Sequence, residues 1–153
     1  MRILIPLDGS PLAEKALEVA EPLALAGGLE ILLLRVVPPA PPLLDEGRML
    51  MTADEVIAME RREAGEYLAM VAVGLRARGL QVRRLLRVGD PARAILAAAE
   101  AEGVALIAMA THGRGGLGRL LFGSVTAAVV EASPIPVLIV RPGQAAATRA
   151  RSA

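Results

Sequence analysis

The stretch that decides the fold is "VALIAMATHGRGGLGRLLFGSVTAAVVEASPIPVLIVR", residues 104–141. Its apolar run "VALIAMA" predicts a buried strand, and "SVTAAVVEAS" predicts a helix that ends at Ser133, before Pro134. "IPVLIVR" then predicts a final strand. This order of elements, a strand, then a glycine-rich connection, a helix and a second strand, is typical of a right-handed crossover between parallel strands.

The residues before this stretch repeat the same alternation of strands and helices. "RILIPL" and "LEILLLRVV" predict buried strands, whereas "LQVRRLLRV" carries more charge and is expected nearer an edge of the sheet. Each predicted helix begins at a polar capping residue: Ser10 before Pro11, Thr52 with Glu55 three positions on, and Asp90 before Pro91.

Two local predictions are more specific. In the first predicted helix the apolar residues that recur on one face are Leu12, Ala16, Val19, Ala20 and Leu23. Residues 38–51, "PPAPPLLDEGRMLM", are rich in proline and are predicted to form a mobile loop.

Five strands alternating with four helices predict an α/β fold: a doubly wound, five-stranded parallel sheet with helices on both faces, a Rossmann-like sandwich. Residues 1–142 are expected to form a single domain, and residues 143–153 a disordered tail. In such sheets ligands bind beyond the carboxyl ends of the strands where the strand order reverses, and the first and fourth predicted strands are expected to flank that crevice.

Composition excludes several classes of function. Charged residues interrupt every apolar run well short of a bilayer span, and no signal peptide is recognisable after Met1, so the expected location is the cytoplasm. The absence of cysteine and the presence of one histidine exclude disulfides, thiolate metal sites and multi-histidine metal sites. A net charge of +1 and two aromatic residues disfavour nucleic-acid binding.

The glycine-rich connection between the fourth strand and the last helix has two interpretations. Glycines that lead into a helix let the backbone approach an anion, with the N–H groups of the helix N-terminus as donors, and Arg114 would add positive charge. Alternatively, the connection is flexible and only changes the direction of the chain. Neither a P-loop nor a G-x-G-x-x-G motif is present, so spacing alone does not decide between them.

Four motifs in the same order resemble the universal stress protein family over nearly the whole chain: "ILIPLDGS", "VGDPARAIL", "MATHGRGGLGRLLFGSVT" and "PIPVLIVR". In the nucleotide-binding branch of that family, Gly-x-x-Gly, nine residues and then Gly-Ser/Thr hold ATP. Gly113, nine residues and Gly123-Ser124 match the latter part of the pattern, and Ala110 replaces its first glycine. If that position needs a positive φ, alanine would strain the loop by about 1 kcal/mol or more; if it continues the strand, alanine fits.

The resemblance implies a set of binding residues. Asp8 and Val36, with Pro6 beside them, would lie at the adenosine end; Met109, Ala110 and Gly113 would line the ribose and phosphates. The phosphates would be held by Arg114 and by four consecutive residues, Gly123, Ser124, Val125 and Thr126. Simpler interpretations exist, since Asp8 also suits a turn and Ser124 and Thr126 also suit the start of a helix.

The resemblance therefore implies an ATP-binding regulatory protein of the stress response that binds ATP with Mg²⁺ or Mn²⁺. No catalytic residue is assigned, because Asp8, His112 and Ser124 lack a recognisable base or nucleophile partner. No protein metal site is assigned either. The alternatives are a slow Mg²⁺-dependent ATPase and a nucleotide-free dimeric interaction module. A homodimer paired through the strand at 135–141 is expected, unless the tail covers that edge.

Overall fold

The computed structural model describes residues 1–111 and 122–141. The elements in this part of the chain are β1 (Arg2–Pro6), α1 (Pro11–Gly27), β2 (Glu30–Val37), β3 (Leu43–Asp45), β4 (Arg48–Met51), α2 (Ala53–Ala77), β5 (Val82–Val88), α3 (Pro91–Ala101), β6 (Leu106–Ala110), α4 (Ser124–Ala132) and β7 (Val137–Val140).

Five of these strands form one parallel sheet in the order β5-β2-β1-β6-β7. β2 and then β5 lie on one side of β1, whereas β6 and then β7 lie on its other side. The strand order therefore reverses between β1 and β6, the first and fourth predicted strands. The predicted α/β class, the five parallel strands and the edge position of β5 are confirmed.

The side chains of the sheet alternate between two cores because successive residues of a strand point to opposite faces. Ile5 and Leu33 pack in the core formed with α1 and α2, which also contains Leu68. Leu4 and its neighbours pack on the other face against α3 and α4, where Ile95 is buried. Helices therefore cover both faces, which is why the central strands are apolar along nearly their whole length.

The predicted capping residues begin their helices. The Ser10 hydroxyl accepts a hydrogen bond from the Ala13 N–H at 3.1 Å, and an Asp90 carboxylate oxygen accepts one from the Arg93 N–H at 2.9 Å. At Thr52 both bonds of the capping box with Glu55 are formed.

Residues 38–51 were predicted to form a loop, and the structure corrects this. β3 and β4 pair as an antiparallel hairpin within that segment. Glu46 (φ 46°) and Gly47 (φ 79°) both have positive φ, the combination that suits a tight two-residue hairpin turn. The prolines at 38–42 precede the hairpin and leave its ladder intact.

The predicted core face of α1 is also partly wrong. Val19 and Leu23 are 37% and 45% exposed, whereas the residues buried against the sheet are Ala16, Leu17, Ala20 and Ala24. Alanines four positions apart let the helix backbone approach the sheet closely, and Val19 and Leu23 lie outside this contact. The last strand is shorter than predicted, Val137–Val140 rather than 135–141.

Candidate functional site

A cavity of about 420 Å³ lies at the carboxyl ends of β1, β2 and β6. Its walls also include the N-termini of α1, α3 and α4, so residues distant in the sequence converge there. The residues that line it are Pro6, Leu7, Asp8, Ser10, Leu12, Ala13, Leu34, Arg35, Val36, Pro38, Pro91, Ile95, Met109, Ala110, Thr111, Gly123, Ser124, Val125 and Thr126. The cavity is thus at the predicted position, where the strand order reverses.

Nine of the eleven residues predicted for the site line this one cavity: Pro6, Asp8, Val36, Met109, Ala110, Gly123, Ser124, Val125 and Thr126. Gly113 and Arg114, like His112, lie outside the described residues. The structure therefore brings together the predicted residues that it describes, and their role as ligand contacts stays a prediction.

Asp8 lies one residue past the end of the ladder between β1 and β2, where the Leu7 N–H donates to the Leu34 carbonyl at 2.8 Å. Its carboxylate oxygen Oδ1 accepts a hydrogen bond from the Ser10 N–H at 2.8 Å, and Gly9 between them has a φ of 87°. Asp8 therefore forms the turn that its simpler interpretation predicted. This bond engages Oδ1 of a residue that lines the cavity.

The charge of Asp8 follows from its surroundings. Burial raises the pKa of its carboxyl group, but hydrogen bonding from Ser10 and the nearby charge of Arg35 outweigh burial and lower that pKa below 3.8. Asp8 is therefore an ionised hydrogen-bond acceptor at neutral pH.

Apolar side chains from neighbouring strands form part of the cavity wall. Val36 of β2 and Met109 of β6 are 9% and 6% exposed and belong to the core beneath α3 and α4. They present a fixed apolar surface of the kind on which a flat or apolar part of a ligand can lie.

Ala110 is the last residue of β6 and pairs in register with Val140 of β7. Among the described non-glycine residues only Glu46 has a positive φ, so the backbone of Ala110 lies in the ordinary extended region. The glycine of the family pattern is therefore not needed here for backbone conformation, and alanine continues the strand without strain.

The N-terminus of α4 opens into the cavity without a side-chain cap. Gly123 is the N-cap residue, and the first intrahelical bond runs from the Ala127 N–H to the Gly123 carbonyl at 2.9 Å. The N–H groups of Ser124, Val125 and Thr126 therefore precede the helical ladder, at the positive end of the helix dipole. By contrast, α1, α2 and α3 each have a side-chain hydrogen bond at this position.

The packing of the described residues does not require a glycine at position 123. Its φ is −61°, and a Cβ built on it would meet no atom of the described structure within 4 Å. Because Gly123 lines the cavity and its Cβ position is open, a larger side chain there would not disturb the packing of the described residues.

Sequence reasoning missed several lining residues, of which Arg35 is the most distinctive. It is the only charged residue between Ile31 and Val37 of β2, and in the sequence it reads as a simple interruption of an apolar run. That interruption was the available signal, because a charge near the carboxyl end of a buried parallel strand points toward the ligand crevice.

The described residues restrict two further possibilities. Across residues 1–111 and 122–141, no group of three His, Cys, Asp or Glu side chains lies close enough together to hold a metal ion. Over the same two ranges, no helix combines the length and the apolar character that crossing a membrane requires.

The comparisons with known proteins agree with this geometry. The universal stress protein family model matches residues 1–141. A universal stress protein encoded 3′ of the QAH/OAS sulfhydrylase in Thermus aquaticus is 38% identical over 141 residues, which cover 91% of this chain and 97% of the relative.

Solved structures of universal stress proteins share the fold of this chain. Protein MJ0577 of Methanocaldococcus jannaschii superposes with a TM-score of 0.74 at 30% identity, covering 92% of this chain and 94% of that protein. A universal stress protein from Archaeoglobus fulgidus, solved in complex with dAMP, shares the fold with a TM-score of 0.63 at 22% identity, covering 91% of this chain and 96% of that protein. From the matched family model and these relatives, the chain belongs to the universal stress protein family.

Proposed function

We propose that this universal stress protein binds ATP in the cavity at the β1–β6 switch point and acts as a nucleotide-dependent regulatory protein. The observation that carries the proposal is the uncapped N-terminus of α4, which faces the same cavity as the ionised Asp8. An anion at that terminus would receive hydrogen bonds from backbone N–H groups and a favourable interaction with the helix dipole.

The orientation of the nucleotide follows from the two ends of the cavity. The phosphates belong at Gly123–Thr126 because the donors are there, and the base belongs beside Asp8 and Val36 on β1 and β2. β2 and β6 are separated by two strand spacings, about 10 Å, which is a suitable distance between a base and its phosphates. Another protein of this fold is solved with dAMP, so the fold can hold an adenine nucleotide.

The remaining parts of the proposal depend on the family resemblance. Gly113 and Arg114 would close the phosphate side, and Mg²⁺ or Mn²⁺ would arrive with the triphosphate and meet the hydroxyl of Ser124 or Thr126. Regulation would follow from linkage, because a ligand that binds only the folded state stabilises the conformation or assembly that holds it.

The test is calorimetric titration of ATP with Mg²⁺ into the wild type and the Gly123→Val variant. We expect the valine to lower ATP affinity by about 100-fold or more, because its branched side chain would occupy phosphate space. Its thermal unfolding should stay close to that of the wild type, since a Cβ at Gly123 meets no atom of the described residues within 4 Å.

Gly65→Val is the matched control. Gly65 lies in α2, outside the cavity, and its Cβ position is also open. This variant should bind ATP like the wild type. Unchanged ATP affinity in a folded Gly123→Val variant would refute the phosphate site, and no binding of ATP to the wild type would refute the proposed function.

A further inference from the structure

Arg35 is a half-buried arginine to which residues 1–111 and 122–141 offer no hydrogen-bond acceptor and no ion-pair partner. Across the described residues its guanidinium makes no hydrogen bond and no ion pair, although it lies near the end of an otherwise buried strand. Arg2, also half-buried, donates to Glu30 at 2.9 Å and to the Glu102 carbonyl at 2.8 Å. Partly desolvated guanidinium groups normally obtain such acceptors, so the acceptor that Arg35 lacks is a candidate ligand atom.

The position of Arg35 narrows the identity of that ligand atom. It lines the same cavity as Asp8 and also a neighbouring cavity of about 400 Å³ that includes Glu60, Glu63 and Tyr67. Asp8 and Arg35 form no ion pair within 4.0 Å, yet the charge of Arg35 reaches Asp8 and lowers its pKa. An obligate acceptor and an obligate donor thus stand near each other at the β1–β2 end of the cavity.

We propose that Arg35 is a specificity-determining residue that donates a hydrogen bond to N7 of adenine while Asp8 accepts one from the 6-amino group. This inference rests on the proposed function, because it assumes that the base lies at the β1–β2 end. Adenine presents N7 and the 6-amino group side by side on one edge, and an asparagine amide reads this edge by offering a donor and an acceptor together. Asp8 and Arg35 offer the same pair from two side chains.

The pair would also reject other bases. Guanine presents two acceptors, O6 and N7, on that edge, so its O6 would face the ionised carboxylate of Asp8. A buried polar group left facing a like partner loses its hydrogen bond with water and gains none in return. Selectivity for adenine over guanine therefore follows from the charges of the two residues.

A phosphate is the competing candidate for the acceptor that Arg35 lacks. The structure favours the base, because the uncapped N–H donors of α4 follow β6, two strands away from β2. A nucleotide with its phosphates at α4 places its other end at Arg35.

The test compares ATP, 7-deaza-ATP, GTP and inorganic tripolyphosphate by calorimetric titration in the presence of Mg²⁺. The wild type should bind ATP about tenfold or more tightly than either 7-deaza-ATP or GTP. Arg35→Met keeps an unbranched side chain and removes the charge and the donors, so it should bind ATP about tenfold more weakly and no longer distinguish ATP from 7-deaza-ATP. Its affinity for tripolyphosphate should stay that of the wild type.

Arg84→Met is the matched control, because Arg84 is exposed on β5 and lines neither cavity that Arg35 lines. It should behave as the wild type toward all four ligands. Retained preference for ATP over 7-deaza-ATP in Arg35→Met, or an equal loss for tripolyphosphate, would overturn the contact with N7. If Arg35→Met does not fold, the wild type alone still tests the contact with N7: equal affinities for ATP and 7-deaza-ATP would overturn that contact. A wild type that binds no ATP overturns the proposed function as well.

Discussion

Tyr67 connects two helices through one polar contact. Its hydroxyl, on α2, donates a hydrogen bond to a carboxylate oxygen of Glu14 on α1 at 2.8 Å. Burial of the ring, followed by this bond and the negative charge of Glu14, raises the pKa of Tyr67 well above its ordinary value of 10.0. The neutral phenol is therefore the form that the folded state favours.

This shift predicts a measurable titration, because Tyr67 is the only tyrosine and the chain has no tryptophan. In absorbance at the tyrosinate band, the native protein should ionise above pH 10 and the urea-unfolded chain near 10. The folded pKa is the higher one, so the contribution to stability is complete below the unfolded pKa and is lost as pH rises toward the folded pKa.

Glu14→Gln should move the native midpoint down toward 10, because it removes the negative charge and keeps a hydrogen-bond acceptor. Glu18→Gln is the control, since Glu18 is exposed on the same helix and pairs with Lys15. A native midpoint equal to that of the unfolded chain would contradict the Tyr67–Glu14 contact.

The residue scale also shows what sequence could predict of the site. Asp8 was predictable because a polar residue that ends a buried strand falls at the ligand edge of a parallel sheet. Arg35 was not, since only the three-dimensional structure shows that its guanidinium makes no hydrogen bond or ion pair with the described residues. Tyr67 meets Glu14 across 53 positions of sequence, a contact that no local pattern encodes.

At the scale of the elements, the first residues of the helices could be predicted because capping depends on neighbouring residues. The β3–β4 hairpin could not be predicted. Five residues rich in proline precede β3 and suggest a loop, whereas the turn depends on positive φ at Glu46 and Gly47. Glutamate is seldom found in that conformation. The core face of α1 was only partly predictable, because the depth at which each side chain packs depends on the sheet beneath it.

The stability of the fold is expected to depend most on the central strands. Leu33 of β2 is fully buried in the core beneath α1 and α2. Leu33→Ala should lower the free energy of unfolding by about 2–5 kcal/mol, because it removes buried methyl groups and leaves a cavity. Urea denaturation measures the change.

Leu50→Ala is the matched control on the hairpin, where Leu50 is 54% exposed. Its effect should stay within about 0.5 kcal/mol. Equal losses in the two variants would show that the hairpin is buried in solution, contrary to the structure.

At the scale of the whole molecule, the two edges of the sheet differ in charge. β5 carries Arg83, Arg84 and Arg87, which discourage pairing with another strand, whereas β7 is "VLIV" with no internal charge or proline. Strand order and parallel pairing could be predicted because βαβ connections are nearly always right-handed. Which backbone groups of β7 bond to β6 could be known only from the register of the two strands.

That register identifies the groups of β7 that make no bond to β6. The Ile107 N–H donates to the Pro136 carbonyl and the Thr111 N–H donates to the Val140 carbonyl, each at 3.0 Å. In a parallel strand the N–H and C=O of one residue point to the same side, so alternate residues of β7 pair with β6. Val137 and Ile139 therefore present their N–H and C=O groups to the side away from β6, where the described residues place no strand.

We expect β7 to pair antiparallel with its copy across a two-fold axis, because one self-complementary contact would then satisfy both edges. Analytical ultracentrifugation of the wild type at micromolar concentration should give twice the chain mass. Ile139→Pro removes an outward N–H and should give a monomer that keeps the helical content of the wild type. Ile139→Thr keeps the N–H and the branched side chain, so it should remain dimeric. A wild-type monomer, or an Ile139→Pro variant that stays dimeric, would show that β7 is not the dimer interface.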